Sequence, residues 1–317
     1  MTIYRILFSS DLHGSSLVYK KYLNSLIKYK AHLGIIGGDI TGKMLVPIIK
    51  VGDESYEAMV LGNIKRARSQ KELLNVSNDI ESLGFYYEIV TKSEYEELSS
   101  NHDLLNQLFK EKMLERIKKW VALGEDFIKN YKIPLYIMPG NDDIFEIDDI
   151  LEHSEYIENP NEKVIQITND HEMMASAYSN ITPWKCPRDL EEEKLQAILE
   201  RMMNNVKDVN KLVFISHVPP YNTNIDLAPA LTHDLKYVTK GGTVMMTHVG
   251  STAVRRVIEK YQPLVGLHGH IHESRGFDKI GRTMVLNPGS EYGEGILHAV
   301  LVTIEDDKVK GYMLISG

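Results

Sequence analysis

The feature that most constrains the fold is a series of short apolar runs, each breaking into a small, polar cluster. Ile3 to Phe8 runs into Ser9-Ser10-Asp11-Leu12-His13-Gly14, Leu33 to Ile36 into Gly37-Gly38-Asp39, and Leu135 to Met138 into Pro139-Gly140-Asn141-Asp142-Asp143. Leu212 to Ile215 runs into Ser216-His217, and Leu264 to Leu267 into His268-Gly269-His270-Ile271-His272. Four to six apolar residues without alternation describe strands covered on both faces. Helical patterns at Ser16 to Lys30, Arg188 to Val206 and Ser251 to Lys260 fall between them. Strand alternating with helix predicts an α/β sheet packed on both sides. The end of the chain differs. Thr283–Leu286, Leu297–Thr303 and Val309–Ile315 read as strands joined by turns, so antiparallel pairing is expected there.

With 317 residues the chain has room for about two domains or one enlarged one, and it can bury a core without staples. Hydrophobic residues make up 43% and charged residues 25%, a globular composition that argues against disorder. Lys and Arg number 36 against 44 Asp and Glu, and the net charge of −8 argues against a nucleic acid partner gripped through its phosphates. Cys186 is the only cysteine, which excludes an internal disulfide and a thiolate-built zinc site. No run approaches the ~20 apolar residues of a membrane helix. The opening MTIYRILFSSDLHG enters a strand pattern carrying Arg5, a poor signal peptide. A cytoplasmic protein with no membrane partner is the expectation.

One interval breaks the rhythm. Between Asp39 and Asn141 lie 101 residues, far more than a crossover needs. Leu45–Val51 and Ser55–Leu61 read as a hairpin around Gly52-Asp53, followed by a helix with Leu73, Val76, Ile80 and Leu83 at helical spacing. Phe85–Val90 reads as a third strand. A long helix from about His102 to Tyr131 carries Leu105, Phe109, Ile117, Trp120, Phe127 and Ile128 as its apolar stripe. The expected division is a main domain of 1–43 and 132–317, with 44–131 as a small α/β insertion. That insertion would border the site as a cap or serve as the contact of a homo-oligomer. Lys65, Arg66, Arg68 and Lys71 form a basic cluster expected to open the insertion's first helix as a solvated face.

The chemistry gathers just past the five principal strands: Asp11, His13, Asp39, Asn141, His217, His270 and His272. All seven offer oxygen or imidazole donors, at the strand ends where α/β sheets present their ligands. Asp11 and His13 are two apart, as are His270 and His272, so extended backbone would turn each pair to one side. Glycine precedes Asp39 and His270 and permits sharp turns and close approach. Seven donors exceed one tetrahedral ion and suit two ions sharing a carboxylate.

This series, Asp-x-His, Gly-Asp, Gly-Asn, a lone His and Gly-His-x-His in that order, resembles the calcineurin-like metallophosphoesterases. The resemblance implies a four-layer α/β sandwich, two mixed sheets flanked by helices. It implies that Asp11, His13, Asp39 and His272 hold one metal and Asp39, Asn141, His217 and His270 the other, with Asp39 bridging. The implied activity is hydrolysis of a phosphomonoester or phosphodiester by in-line attack of a metal-bridging hydroxide. Asn287-Pro288-Gly289-Ser290 looks like a turn many members carry near their end. Two divalent cations, offset by Asp11, Asp39 and a hydroxide, leave a core that stays positive and attracts a phosphate ester. Metals ~3.5–4 Å apart can clamp nucleophile and phosphoryl oxygen together. Imidazole and carboxylate donors without thiolate suit Mn, Fe, Zn, Co or Ni. A nuclease, a protein phosphatase, or a catalytically weak metal-binding scaffold of the same fold are the alternatives.

The sequence departs from the family at one place. Many members follow Gly-Asn with a His thought to protonate the leaving oxygen; here the run is Gly140-Asn141-Asp142-Asp143. A carboxyl of ordinary pKa near 4 is ionised at pH 7 and donates no proton. The catalytic candidates are therefore Asp142 itself and His248, whose His248-Val249-Gly250-Ser251 opens a helix with amides that could face phosphate. Simple support of the Asn141 turn is the alternative reading of Asp142, and Asp143 is expected to sit behind the ligands or cap a helix. His268 reads as a core histidine, and His32, His102, His153, His171, His233 and His298 as structural or solvated. Trp184 is expected to line the site or plug the core, and the pairs Met173-Met174, Met202-Met203 and Met245-Met246 to pack flexibly.

Overall fold

The computed structural model describes residues 2–317. Two six-stranded sheets dominate it. The first runs, edge to edge, Lys308–Ser316, His298–Glu305, Ile3–Ser9, Leu33–Gly37, Leu135–Met138 and Ile157–Glu158. The second runs Gly276–Ile280, Thr283–Asn287, Val265–Leu267, Leu212–Ser216, Glu172–Ser176 and Val164–Gln166. Both are mixed, with parallel centres; the second has antiparallel strands at both edges, the first only on the side of His298–Glu305 and Lys308–Ser316.

Period-two alternation sorts the side chains into layers. Ile6, Phe8 and Ile35 face Val213, Ile215 and Leu267 in the core between the sheets. Leu7 and Ile36 point the other way, onto the helices Ser16–Lys28 and His102–Tyr131. Leu212 and Phe214 point to the helices Glu192–Met203 and Thr252–Tyr261 on the outer face of the second sheet. Helix, sheet, sheet, helix: this is the expected α/β sandwich, and it explains why the strands read as unbroken apolar runs. Each such side chain, fully buried, contributes about 1.5–3 kcal/mol.

Residues Leu45–Thr91 build a third sheet of four strands around their own core of Val46, Ile48, Tyr56, Ala58, Val60, Leu73, Val76 and Ile80. The long helix leaves this sheet and joins the first core through Ile117, Trp120, Val121 and Phe127. There Trp120 stacks on Tyr19 with ring centroids 4.5 Å apart. Arg116, buried, donates 2.5 Å to the carbonyl of Gly14 and pairs with Glu81 at 3.0 Å.

Several local expectations are corrected. A strand Asn63–Ala67 carries Lys65 and Arg66, leaving only Lys71 of the basic cluster in the helix Gln70–Ser82. A helix Lys92–Ser100, capped by Thr91 and Glu94, precedes the long one. Thr283–Asn287 pairs parallel with Val265–Leu267 as well as antiparallel with its neighbour. Trp184 is 62% exposed and plugs nothing, and Met245 and Met246 lie on an exposed arm rather than in the packing. Among the described residues no helix is long and apolar enough to cross a membrane.

Candidate metal centre

The carboxyl ends of the parallel strands of both sheets meet along one edge, and the seven predicted donors sit there. Tight loops turn them inward. Asp11, His13, Asp39 and His270 all have left-handed backbone, with φ of 58°, 40°, 50° and 66°. A backbone ladder zips the first two loops together: the amides of Asp11, His13 and Gly14 donate to the carbonyls of Gly38, Asp39 and Ile40, each at 2.9 Å. Gly140 is required by space, since a Cβ there would run into Asp39 and the ring of His217.

Asp11, His13 and His272 place one ligand atom each within 4.8 Å of one another, and so do Asp39, His217 and His270. Between the sets, His13 Nε2 lies 3.7 Å from Asp39 and His217 Nε2 3.9 Å from Asp11. Within them, His272 Nε2 is 3.4 Å from Asp11 and His217 Nε2 3.3 Å from Asp39. Two ring nitrogens, His13 Nε2 and His272 Nε2, face each other at 3.1 Å.

The surroundings hold these donors with their lone pairs inward. His217 donates through Nδ1 to the carbonyl of Gly37 at 2.9 Å, and His13 Nδ1 lies 3.3 Å from that of Thr41. Both rings thereby present Nε2 to the carboxylates. Asn141 donates its amide nitrogen to Asp189 at 2.8 Å, which leaves its buried Oδ1 without a partner. His217 Nε2 is likewise buried without a well-directed hydrogen bond. Buried polar atoms are ordinarily paired, so orphaned acceptors beside carboxylates fit a cation.

Charge follows the geometry. Burial alone would push Asp11 and Asp39 up, but the neighbouring histidines hold both carboxyls well below the usual range. Burial, and then the Lys43 charge, takes His13 down to about 3; burial and the His217 charge take His270 down to about 4. His217 resists burial because Asp39 raises it to about 9. The ionised carboxylates and the neutral rings of His13 and His270 are in the states a metal requires. His217 and His272, both raised by their carboxylate neighbours, would each give up a proton to an ion.

Of the catalytic candidates, Asp142 lies in the loop after Leu135–Met138 and His248 ends the short strand Met246–His248. The amide of Asp142 donates to Asp39 at 3.1 Å, and its carboxylate joins His13 and Asp39 in a third group within 4.8 Å. His248 donates through Nδ1 to Asp226 at 2.7 Å. Asp226 is fully buried and also accepts from the amides of Asn222, Thr223 and Gly250. The helix behind His248 does not offer its amides to phosphate, because the Glu192 carboxylate already takes those of Thr252 and Ala253. Asp143 caps no helix. It accepts from the amides of Ile40, Thr41 and Gly140 and from the Thr41 hydroxyl, lashing two loops together. Burial and the Asp39 charge push it up to about 6 against those donors.

Sequence reasoning missed three residues. Lys43 reaches Asp142 at 3.1 Å, Tyr292 lays its ring 4.6 Å from that of His13 and 6.0 Å from that of His272, and Asp226 orients His248. Only Gly42-Lys43, following the Gly-Asp loop by a few residues, carried a usable signal.

The sequence pattern of calcineurin-like phosphoesterases matches residues 4–274. MJ1162 of Methanocaldococcus jannaschii, an uncharacterized protein, is 36% identical over 153 residues, or 48% of this chain and 62% of that protein. The match thus spans less than two thirds of that relative's length. Among solved structures, one crystal structure superposes with a TM-score of 0.58 at 16% identity, covering 99% of both chains. TT1561 of Thermus thermophilus does so with 0.53 at 12% identity, covering 100% of this chain and 99% of its own. Both share the fold. With all five donor blocks inside the matched stretch, the chain belongs to the calcineurin-like phosphoesterase family.

Proposed function

We propose that the protein is a dinuclear metal-dependent hydrolase of phosphate esters. The observation that carries this is the meeting of two donor sets, Asp11/His13/His272 and Asp39/His217/His270, with Asp39 facing both. Asp11, His13, Asp39 and His272 would hold one ion; Asp39, Asn141, His217 and His270 the other. Bound there, two such cations lower the pKa of water towards neutrality and polarise phosphoryl oxygens. Imidazole, carboxylate and amide oxygen donors suit Mn, Fe, Zn, Co or Ni.

The chain's own groups supply orientation and proton handling. The carbonyls of Gly37 and Thr41 fix the His217 and His13 rings. Asp189 fixes Asn141 so that its neutral oxygen faces inward and the site keeps its positive charge. The proton for the departing oxygen falls to His248, whose Nδ1 is held by Asp226, rather than to Asp142, which is engaged with Lys43. Residues 44–131 form an insertion bordering the site: Tyr86 accepts from the Gly42 amide at 2.7 Å, and Ser15 donates to the Ser82 carbonyl at 3.0 Å.

The test is metal analysis together with hydrolysis of chromogenic mono- and diesters, before and after Asp39→Asn. Two metals per chain and turnover that Asp39→Asn abolishes are expected. No metal uptake, or turnover indifferent to Asp39, ends the proposal.

A further inference from the structure

Asp142 poses a problem that the metal reading leaves open, because it adds a third carboxylate to a site meant for an anion. The structure pairs it with Lys43, whose Nζ lies 3.1 Å from Oδ2, the two side chains being 47% and 32% exposed. A half-exposed ion pair of this kind contributes little to stability, so its worth is to be sought in its place. Among the described residues, Lys43 is the one lysine or arginine ion-paired to a member of the donor groups.

Its backbone is held firmly. Just before it, Ile40 and Thr41 are tied to Asp143 and the Gly42 amide to the Tyr86 hydroxyl. An ammonium has three donors, and Asp142 occupies one. The others remain beside Asp142, whose carboxylate lies within 4.8 Å of ligand atoms of His13 and Asp39.

We propose that Lys43 contacts substrate: its ammonium, steered by Asp142, binds a non-bridging oxygen of the phosphate group and favours monoester dianions over diester monoanions. Asp142 is then a positioning residue, cancelling part of the lysine's charge while aiming it. This rests on the metal reading above and names the substrate class it serves. Coulomb attraction doubles between a singly and a doubly charged phosphate at fixed distance, which gives the preference its physical basis.

The experiment uses the full chain loaded with metal, as wild type, Lys43→Met, Lys43→Arg, Asp142→Asn and Asp39→Asn. Metal content, kcat/KM for p-nitrophenyl phosphate and bis-p-nitrophenyl phosphate, and calorimetric binding of inorganic phosphate are measured. Lys43→Met is expected to keep its metals and lose roughly ten- to a hundredfold in kcat/KM on the monoester, the range of a charged hydrogen bond. The loss on the diester should be several times smaller, and Lys43→Arg should recover most of the monoester activity. Inorganic phosphate should bind more weakly to Lys43→Met and more tightly to Asp142→Asn. Equal losses on both esters, no loss, or loss of metal in Lys43→Met would overturn the proposal. So would an Asp142→Asn variant whose kcat collapses with phosphate affinity unchanged. If Asp39→Asn abolishes metal uptake and turnover while Lys43→Met behaves as wild type, this proposal fails and the metal reading stands. A wild type that takes up no metal and cleaves neither ester overturns both.

Discussion

The floor of the centre and its rim are built on different terms. On the floor, Asp11, His13, Asp39, Asn141 and His217 are almost wholly buried, each within a few residues of a central strand end. The rim is made of Lys43, Asp142, His248 and Tyr292, carried on loops and short irregular elements and partly open to solvent. Floor residues are over-determined: each ring or amide is held by a second group, and the loops are zipped to one another. Rim residues are held more sparsely, Lys43 by one ion pair, His248 by one oriented hydrogen bond and Tyr292 by ring contacts with His13 and His272. The contrast teaches that strand ends place the donors, whereas the groups around them are placed by segments that can vary without unfolding the sandwich.

Three variants would sharpen or break this contrast. The largest effect is expected from His217→Ala, a floor change that removes one donor and one of the imidazoles facing Asp39. Metal affinity should fall at least about a hundredfold, a lower bound set by losses of supporting groups alone; titration followed by elemental analysis measures it. An unchanged affinity would mean that the floor is not where metal resides. Next comes Asp143→Ala, which strands the amides of Ile40, Thr41 and Gly140. Thermal and denaturant unfolding should report about 2–4 kcal/mol of lost stability, with metal affinity falling alongside. The smallest is Asp226→Asn, behind the rim residue His248. Metal content should stay the same while turnover drops about tenfold, in line with loss of a histidine's orienting partner. The drop should be steeper for esters with poor leaving groups than for p-nitrophenyl esters, and a uniform drop would deny His248 its role as proton donor.

The same contrast governs what could be read without coordinates. Floor donors follow apolar runs within one to five residues, so their spacing along the chain survives into space; the strand runs are legible for the same reason, being buried on both faces. Lys43 meets Asp142 from about a hundred positions away, and Tyr292 approaches His13 from still further. No one-dimensional pattern brings such groups together. The helix after Ser251 is misread from sequence because its capping carboxylate, Glu192, arrives from another helix whose acidic run looks sufficient to itself. Strand Asn63–Ala67 escapes notice because four of its five residues face solvent at a sheet edge, leaving no apolar signal to see. Trp184 and the Met245-Met246 pair show the converse, large apolar side chains that tertiary structure leaves outside.

Asp11, His13, Asp39 and His270 bend the chain in a sense that side chains with a Cβ resist, each at a cost of roughly 1 kcal/mol or more. A lineage selected for heat tolerance alone would therefore drift towards glycine at those four places and grow hardier as it shed these donors. Any programme of thermal improvement should hold these positions fixed and look for its gains among the exposed strands and helices of the opposite edge.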